Sequence, residues 1–248
     1  MGKVNKEYEK LFWTHGFKDR RVVNGFYKIS QGSYQYYENF LLSNCLNKKV
    51  LEYGCGTGSY AFFLAKHGAK VTGIDICEEA INLAHKEALN KGLSNIKFLV
   101  MDAEAMQFGN SSFDLICGTG ILHHLRLQDA LSELVRVLKF DGKAIFFEPM
   151  GHNPVINLFR KLTSHLRTKD EHPLTFKDLK LMEQYFNQVT CNFFHLFSLL
   201  AIPFCNTKLL TKLVKILDNF DKTFFKSFPG LKKMAWQVVI ILEKPKKV

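Results

Sequence analysis

The stretch Lys48-Lys49-Val50-Leu51-Glu52-Tyr53-Gly54-Cys55-Gly56-Thr57-Gly58 constrains this chain more than any other. Val50 and Leu51 close a short apolar strand, and three glycines at alternate positions follow. A residue without Cβ reaches φ > 0 freely and lets another molecule come close to the main chain. From Ser59 the pattern becomes helical, with Ala61, Phe62, Leu64 and Ala65 on one stripe. The unit reads as strand, glycine turn, helix.

A second strand, Lys70 to Asp75, ends on an acid 21 positions after Gly54. In a doubly wound sheet a carboxylate there sits at the tip of the neighbouring strand and can accept from both hydroxyls of a ribose. Glycine turn and distant acid together mark a nucleoside site. A dinucleotide fold would place its third glycine at position 59; here that residue is Ser59, the third glycine is Gly58, and Glu52 precedes the turn. A glycine turn without a ligand and a nicotinamide site are the competing readings.

The alternation continues. Residues 78 to 91 form an amphipathic helix through Ala80, Ile81, Ala84 and Ala88, and Ile96 to Met101 is a third strand followed by Asp102-Ala103. Ser112 to Cys117 is a fourth strand, followed by Gly118, Thr119, Gly120 and the pair His123-His124. A helix over Leu125 to Lys139 leads to a fifth strand, Gly142 to Glu148. Further on, Phe176 to Phe186 reads as helix, Gln188 to His195 as a sixth strand and Trp236 to Leu242 as the last. This order predicts an α/β fold with a doubly wound, mostly parallel sheet.

Glu52-x-Gly54-x-Gly56-x-Gly58 with Asp75, then Asp102-Ala103, Ser112 to Ile116 and Gly142 to Pro149, resembles the class I (Rossmann-like) S-adenosylmethionine-dependent methyltransferases, in register over roughly residues 46 to 150. The resemblance implies a seven-stranded sheet whose last strand is antiparallel beside strand five. It implies a helical cap over 1–45 and a cofactor-binding core over 46–150; the insertion at 151–175 reads from its own residues as a substrate lid, and 176–248 as the remainder of the sheet. The implied cofactor is S-adenosyl-L-methionine, held by Glu52, Gly54, Gly56, Gly58, Asp75, Ile76, Asp102, Ala103 and Gly118. Asp102-Ala103 would face the adenine; an Asx-type turn at a strand end is the plainer reading.

Strand four of such a sheet points its carboxyl end at the reacting sulfur. Nucleic-acid amino-methyltransferases carry N/D-P-P-Y/F/W there, and that pattern is absent. His123 and His124 stand in its place, and imidazole can take a proton from a hydroxyl or amine near neutral pH. They are the candidate catalytic residues, although either could simply open a helix. The expected reaction is methyl transfer to O or N of a small, partly apolar acceptor.

Substrate contacts are expected from the aromatic-rich N-terminal segment, through Trp13 and Tyr27, and from the insertion Met150 to Thr175, through His152, Asn153, Arg160, Arg167 and His172. This insertion reads as a long loop, dense in hydrogen-bonding side chains, and long loops in compact domains are usually functional. A solvated excursion is the alternative. The spacing of His152, His165 and His172 fits no compact zinc pattern, so no metal is expected.

The net charge of +11 is uneven: from Asn206 onward ten lysines face three acids, giving +7. At about 100° per residue, Lys208, Lys212, Lys215, Lys222 and Lys226 share one line of a helix over 206–226, with Leu209, Leu213, Ile216, Leu217, Phe220 and Phe224 opposite. Such a helix packs on a core with its lysines in water, or lies in a lipid interface. The apolar run Phe193 to Cys205 is too short to span a bilayer. Six cysteines without metal or C-x-x-C spacing read as reduced thiols, and the first residues lack a secretory h-region, so the expected location is the cytoplasm, with peripheral membrane contact through 206–226 as a variant. Three rivals follow: a membrane-associated methyltransferase with a lipid-like acceptor, an RNA methyltransferase, and a scaffold retaining the fold without activity. No accessory RNA domain is present, which argues against nucleic acid as partner.

Overall fold

The computed structural model describes residues 28–164 and 171–246. Its strands are β1 Lys49–Tyr53, β2 Lys70–Asp75, β3 Ile96–Val100, β4 Phe113–Thr119, β5 Leu138–Pro149, β6 Phe186–Phe194 and β7 Gln237–Pro245. They form one sheet in the order β3-β2-β1-β4-β5-β7-β6. Pairing is parallel from β3 to β5, whereas β7 enters antiparallel between β5 and β6. The helices are α1 Gln31–Cys45, α2 Ala61–Lys66, α3 Glu78–Asn90, α4 Leu127–Val137, α5 Pro154–Leu162, α6 Phe176–Tyr185 and α7 Leu210–Ser227.

The central strands are buried on both faces, and the period-two alternation of side chains divides them between two cores. Leu51, Tyr53, Ile116, Phe146 and Ile240 join the layer closed by α4 and α6. Their neighbours Val50, Leu115, Cys117, Ile145 and Val239 face the layer closed by α1, α2 and α3. The Phe146 ring is fully buried; truncating such a ring to alanine costs about 3–5 kcal/mol. A third, smaller cluster joins Ile156 of α5 to Leu199, Leu210, Val214 and Trp236.

Four elements differ from the sequence reading. Taken alone, Glu38 to Leu46 reads as the helix leading into β1; the helix instead begins at Gln31, because Ser33, Tyr37, Leu41 and Cys45 recur every fourth residue on a buried stripe that the serine and tyrosine disguise. Strand β5 begins at Leu138, directly where α4 ends, with a register shift against β4 between Phe113 and Leu115. The inserted stretch is not all loop: the Asn153 side chain accepts from the Val155 and Ile156 amides, Pro154 starts the first turn, and nine residues of α5 follow. That Asn-Pro pair is a helix-start signal in its own right.

The fourth difference concerns α7. Its buried residues are Leu210, Val214, Asp218, Asp221 and Phe225, not the apolar line drawn from the wheel. Two carboxylates turn the helix. Asp221 accepts from the Leu196, Phe197 and Ser198 amides at 2.7–3.3 Å, and Asp218 Oδ1 lies 3.2 Å from Nδ1 of the fully buried His195, a nitrogen whose own hydrogen bond goes to the Ser198 hydroxyl at 2.8 Å. Unsatisfied buried amides cost more than an apolar side chain left in water, so Leu209, Ile216 and Phe220 end up more than half exposed. No helix among the described residues is long and apolar enough to cross a membrane.

Candidate functional site

Where the strand order reverses, β1 has a neighbour on each side that the chain reaches in opposite directions. Loops at the carboxyl ends part there and leave a crevice. A cavity of ≈ 280 Å³ opens at that place. Its walls are Gly54–Thr57 after β1, Asp75–Cys77 after β2, Met101–Glu104 after β3, and Thr119–Ile121 with His124 after β4.

The turn after β1 is built by its glycines. Gly54, Gly56 and Gly58 have φ of 71°, 51° and 92°. A Cβ on Gly54 would strike the Ile121 side chain and one on Gly58 would strike Phe62, whereas one on Gly56 would meet no protein atom within 4 Å. Gly54 and Gly58 are therefore glycines for packing, and Gly56 is the bare stretch of backbone that faces open space. The Gly56 amide donates to Asp75 Oδ2 at 2.8 Å, and Asp75 Oδ1 accepts from the Cys77 amide at 2.9 Å. The acid at the tip of β2 thus grips the glycine turn and borders the cavity at once.

Glu52 lies behind this turn and outside the cavity wall. One oxygen accepts from the Tyr60 amide at 2.9 Å and the Ser59 hydroxyl at 3.2 Å, the other from the Ala61 amide at 2.7 Å. It caps α2, whose first turn carries no acid of its own. Burial pushes its carboxyl up to about 7, against the pull of those amides. Asp102 makes an Asx turn, accepting from the Glu104 amide at 2.9 Å, and lines the cavity as well. The Tyr53 hydroxyl fixes the Ala103 carbonyl at 2.5 Å. Ile76 and Ala103 are in the wall; Gly118 lies below it, with the Tyr37 hydroxyl on its carbonyl at 3.3 Å.

The histidines divide. His124 lines the cavity, and the His123 ring lies against it with centroids 4.1 Å apart. His123 Nδ1 donates to Glu148 Oε2 at 2.7 Å, while Glu148 Oε1 accepts from the Ile121 and Leu122 amides at 2.9 Å. An ionised carboxylate only accepts, so the proton sits on Nδ1 and Nε2 keeps its lone pair. Burial, together with the neighbouring His124, holds the His123 imidazolium below its ordinary range despite Glu148. The Glu171 carboxylate lies 4.0 Å from Nε2, and one ligating atom each from His123, His124 and Glu171 fall within 4.8 Å of one another. Glu148 and Glu171 were not among the expected site residues. Glu148 could have been found: like Asp75, it is an acid at the tip of an apolar strand.

The expected substrate residues scatter. His172 is near, its amide donating to the His123 carbonyl at 3.0 Å. Asn153 is buried as the cap of α5, its side-chain amide donating to the Met234 carbonyl at 2.6 Å. Arg160 holds the Met150 carbonyl at 2.9 Å, and exposed His152 accepts from the Phe176 amide at 3.3 Å. Trp13, Tyr27, His165 and Arg167 lie outside the described residues.

Residues 50–142 match a family model described as methyltransferase domain. Aklanonic acid methyltransferase DauC of a Streptomyces species is 40% identical over 109 residues, 42% of this chain and 49% of that protein. The ubiquinone/menaquinone biosynthesis C-methyltransferase UbiE of Zymomonas mobilis is 31% identical over 126 residues, 50% of this chain and 52% of that protein. The chain spans about half the length of the curated relatives it matches. Among solved structures, a phosphoethanolamine N-methyltransferase 2 of Haemonchus contortus, in complex with phosphomonomethylethanolamine and S-adenosylhomocysteine, superposes with a TM-score of 0.68 at 16% identity, over 96% of this chain and 60% of that one.

Proposed function

We infer that this chain, whose residues 50–142 belong to the methyltransferase domain family, is a class I S-adenosylmethionine-dependent methyltransferase acting on O or N of a small, partly apolar acceptor. One observation carries the reading: Gly56 offers open backbone at φ 51° beside Asp75, at the reversal point of the sheet. Bare backbone beside an acid at a strand tip suits a nucleoside with a charged tail; a dinucleotide would use the same pair, and the third glycine at 58 with Ser59 after it is what speaks against one.

The residues present suit the cofactor. Asp75 would accept from the ribose, Asp102 and the Ala103 amide would meet the adenine, and the 54–57 backbone would receive the amino-acid tail. Glu52 would act by holding the turn and α2 in place. When bound, the cofactor supplies an electrophilic methyl on a sulfonium whose departing group is neutral, so no acid is required of the protein. The chain's own work is to align the acceptor in a closed, dry site. Thr119, Gly120 and His124 form the wall on that side, and the Glu148-held His123 fixes the tilt of His124 through ring contact. His124 is the group proposed to take the acceptor's proton. The relatives act on carbon as well as nitrogen, and the choice of O or N rests here on this imidazole.

Isothermal titration with S-adenosylmethionine tests the cofactor assignment. Parent protein should release heat at one site, and Asp75→Ala should abolish it while the far-ultraviolet spectrum is kept. Equal binding by the variant would remove Asp75 from the ribose and with it the proposed pose.

A further inference from the structure

The inward turn of α7 has an outward consequence. Its only two acids, Asp218 and Asp221, are buried, so its solvent side is purely basic, with Lys208, Lys212, Lys215, Lys222 and Lys226 exposed on or just before it. On the helical wheel these lysines and the exposed apolar residues are adjacent arcs. With about 100° per residue, Leu209, Ile216 and Phe220 centre roughly 100° from the lysine line, and both arcs face water. The apolar arc is extended by neighbouring rings. Phe197 packs edge-on to Phe220 and Phe224 at 5.0 and 4.9 Å, and Phe224 reaches Phe228 at 4.9 Å. Leu200 is 65%, Phe204 41% and Phe228 55% exposed, beside Leu209 at 61%, Ile216 at 57% and Phe220 at 52%.

A helix packed for stability alone would have put this arc inward. Here the inward positions are committed to Asp221, which caps the 196–198 amides, and to Asp218, which lies against His195 at 3.2 Å, and the apolar arc is left out together with a row of cations. Aromatic and aliphatic side chains flanked by lysines, without an exposed acid between, match the boundary of an anionic bilayer: acyl chains for the rings, phosphates for the ammonium groups. We propose that the outer face of α7 and the 197–204 segment is a docking surface for anionic lipid, on which the protein seats peripherally. This goes beyond the methyl-transfer reading and does not depend on it.

The test uses the full chain and sedimentation with phosphatidylcholine vesicles with and without phosphatidylglycerol. The expected result is co-sedimentation only with the anionic vesicles, weakened by high salt. Lys212→Glu, Lys215→Glu and Lys222→Glu together should lower the partition coefficient on the order of a hundredfold, and Ile216→Ser with Phe220→Ser should lower it on zwitterion-diluted anionic vesicles too. The lysines are exposed and Ile216 and Phe220 more than half so; cofactor titration should be unchanged and melting should fall only slightly, through the lost Phe197 contact, which separates loss of docking from loss of fold or of the active site. Three outcomes would overturn the proposal. One is no sedimentation with anionic vesicles. Another is sedimentation, or binding to bulk tRNA instead, that the lysines govern but Ile216 and Phe220 do not, the mark of a polyanion site. The third is concentration-dependent dimerisation without lipid that the serine variants abolish, which would assign the face to a second copy.

Discussion

Glu148 Oε2 and His123 Nδ1 lie 2.7 Å apart, in a position where neither side chain meets bulk water. Glu148 is the penultimate residue of β5 and His123 lies in the short turn after β4, so the contact ties the tips of two adjacent strands. Because the other oxygen holds the Ile121 and Leu122 amides, one side chain fixes both the backbone of that turn and the tautomer of its first histidine.

Replacing Glu148 with alanine should therefore cost more than one hydrogen bond. Two amides and an imidazole would be left buried without an acceptor, a loss of about 3–5 kcal/mol. Glu148→Gln keeps an acceptor oxygen but turns a donor toward His123 or the amides, and should cost about half as much. Urea denaturation of the three proteins measures this. A glutamine variant as unstable as the alanine one would mean that charge, not acceptor geometry, holds the turn.

Glu52 sets a pH dependence of the opposite sense to a salt-bridged acid. Burial raises its folded pKa from 4.5 to about 7, so the native state holds the proton more tightly than the unfolded chain. Its contribution is fully present below the unfolded value and is lost as pH rises to about 7, amounting to about 3 kcal/mol across that window. Stability measured between pH 5 and 8 should fall more steeply in the parent than in Glu52→Gln, whose side chain does not titrate. Identical slopes would show that another group carries the dependence.

The sheet was legible because its evidence is local. Alternating apolar runs, the glycine turn, and the acids Asp75 and Asp102 at strand ends each specify a strand and its carboxyl tip without reference to anything distant. What escaped is what depends on a partner far along the chain. The Asn153-Pro154 start reads as polar loop in the sequence because α5 buries only Ile156. Asn153 and Arg160, expected at a substrate, face backbone carbonyls instead. The wheel of α7 assumed that charge points outward, and it failed because Asp218 and Asp221 have partners more than twenty positions earlier. Glu148, an acid at a strand tip, was legible in kind, but that it and Glu171 both reach His123 emerges only through folding.

The glycines after β1 should separate into two kinds. Gly56→Val introduces a side chain into open space at φ 51°; the strained backbone costs about 1–2 kcal/mol, the fold survives, and S-adenosylmethionine binding is lost because the cradle is filled. Gly54→Ala drives a methyl into Ile121, which should lower the melting temperature further for a smaller added group. Melting curves and titration calorimetry on the pair check both halves. If Gly56→Val still bound the cofactor, the open backbone there would not be where the ligand lies.

Asp221 offers the sharpest test of why α7 is turned as it is. Its two oxygens serve the Leu196, Phe197 and Ser198 amides and the Ser198 hydroxyl, at a point where His195 has a positive φ of 64° and β6 has just ended. Asp221→Ala strands those donors in the interior, and the expected cost is about 3 kcal/mol or more. Asp221→Asn retains one acceptor oxygen and should recover a good part of it. Because the anchor is what keeps the Phe220 arc outside, the alanine variant should also let α7 roll toward its apolar side, burying Ile216 and Phe220. Hydrogen exchange over 196–228 would register faster exchange at the three amides together with less dye binding to the exposed rings. Faster exchange with undiminished dye binding would mean that the carboxylate stabilises the 196–198 turn but does not set the rotation of the helix.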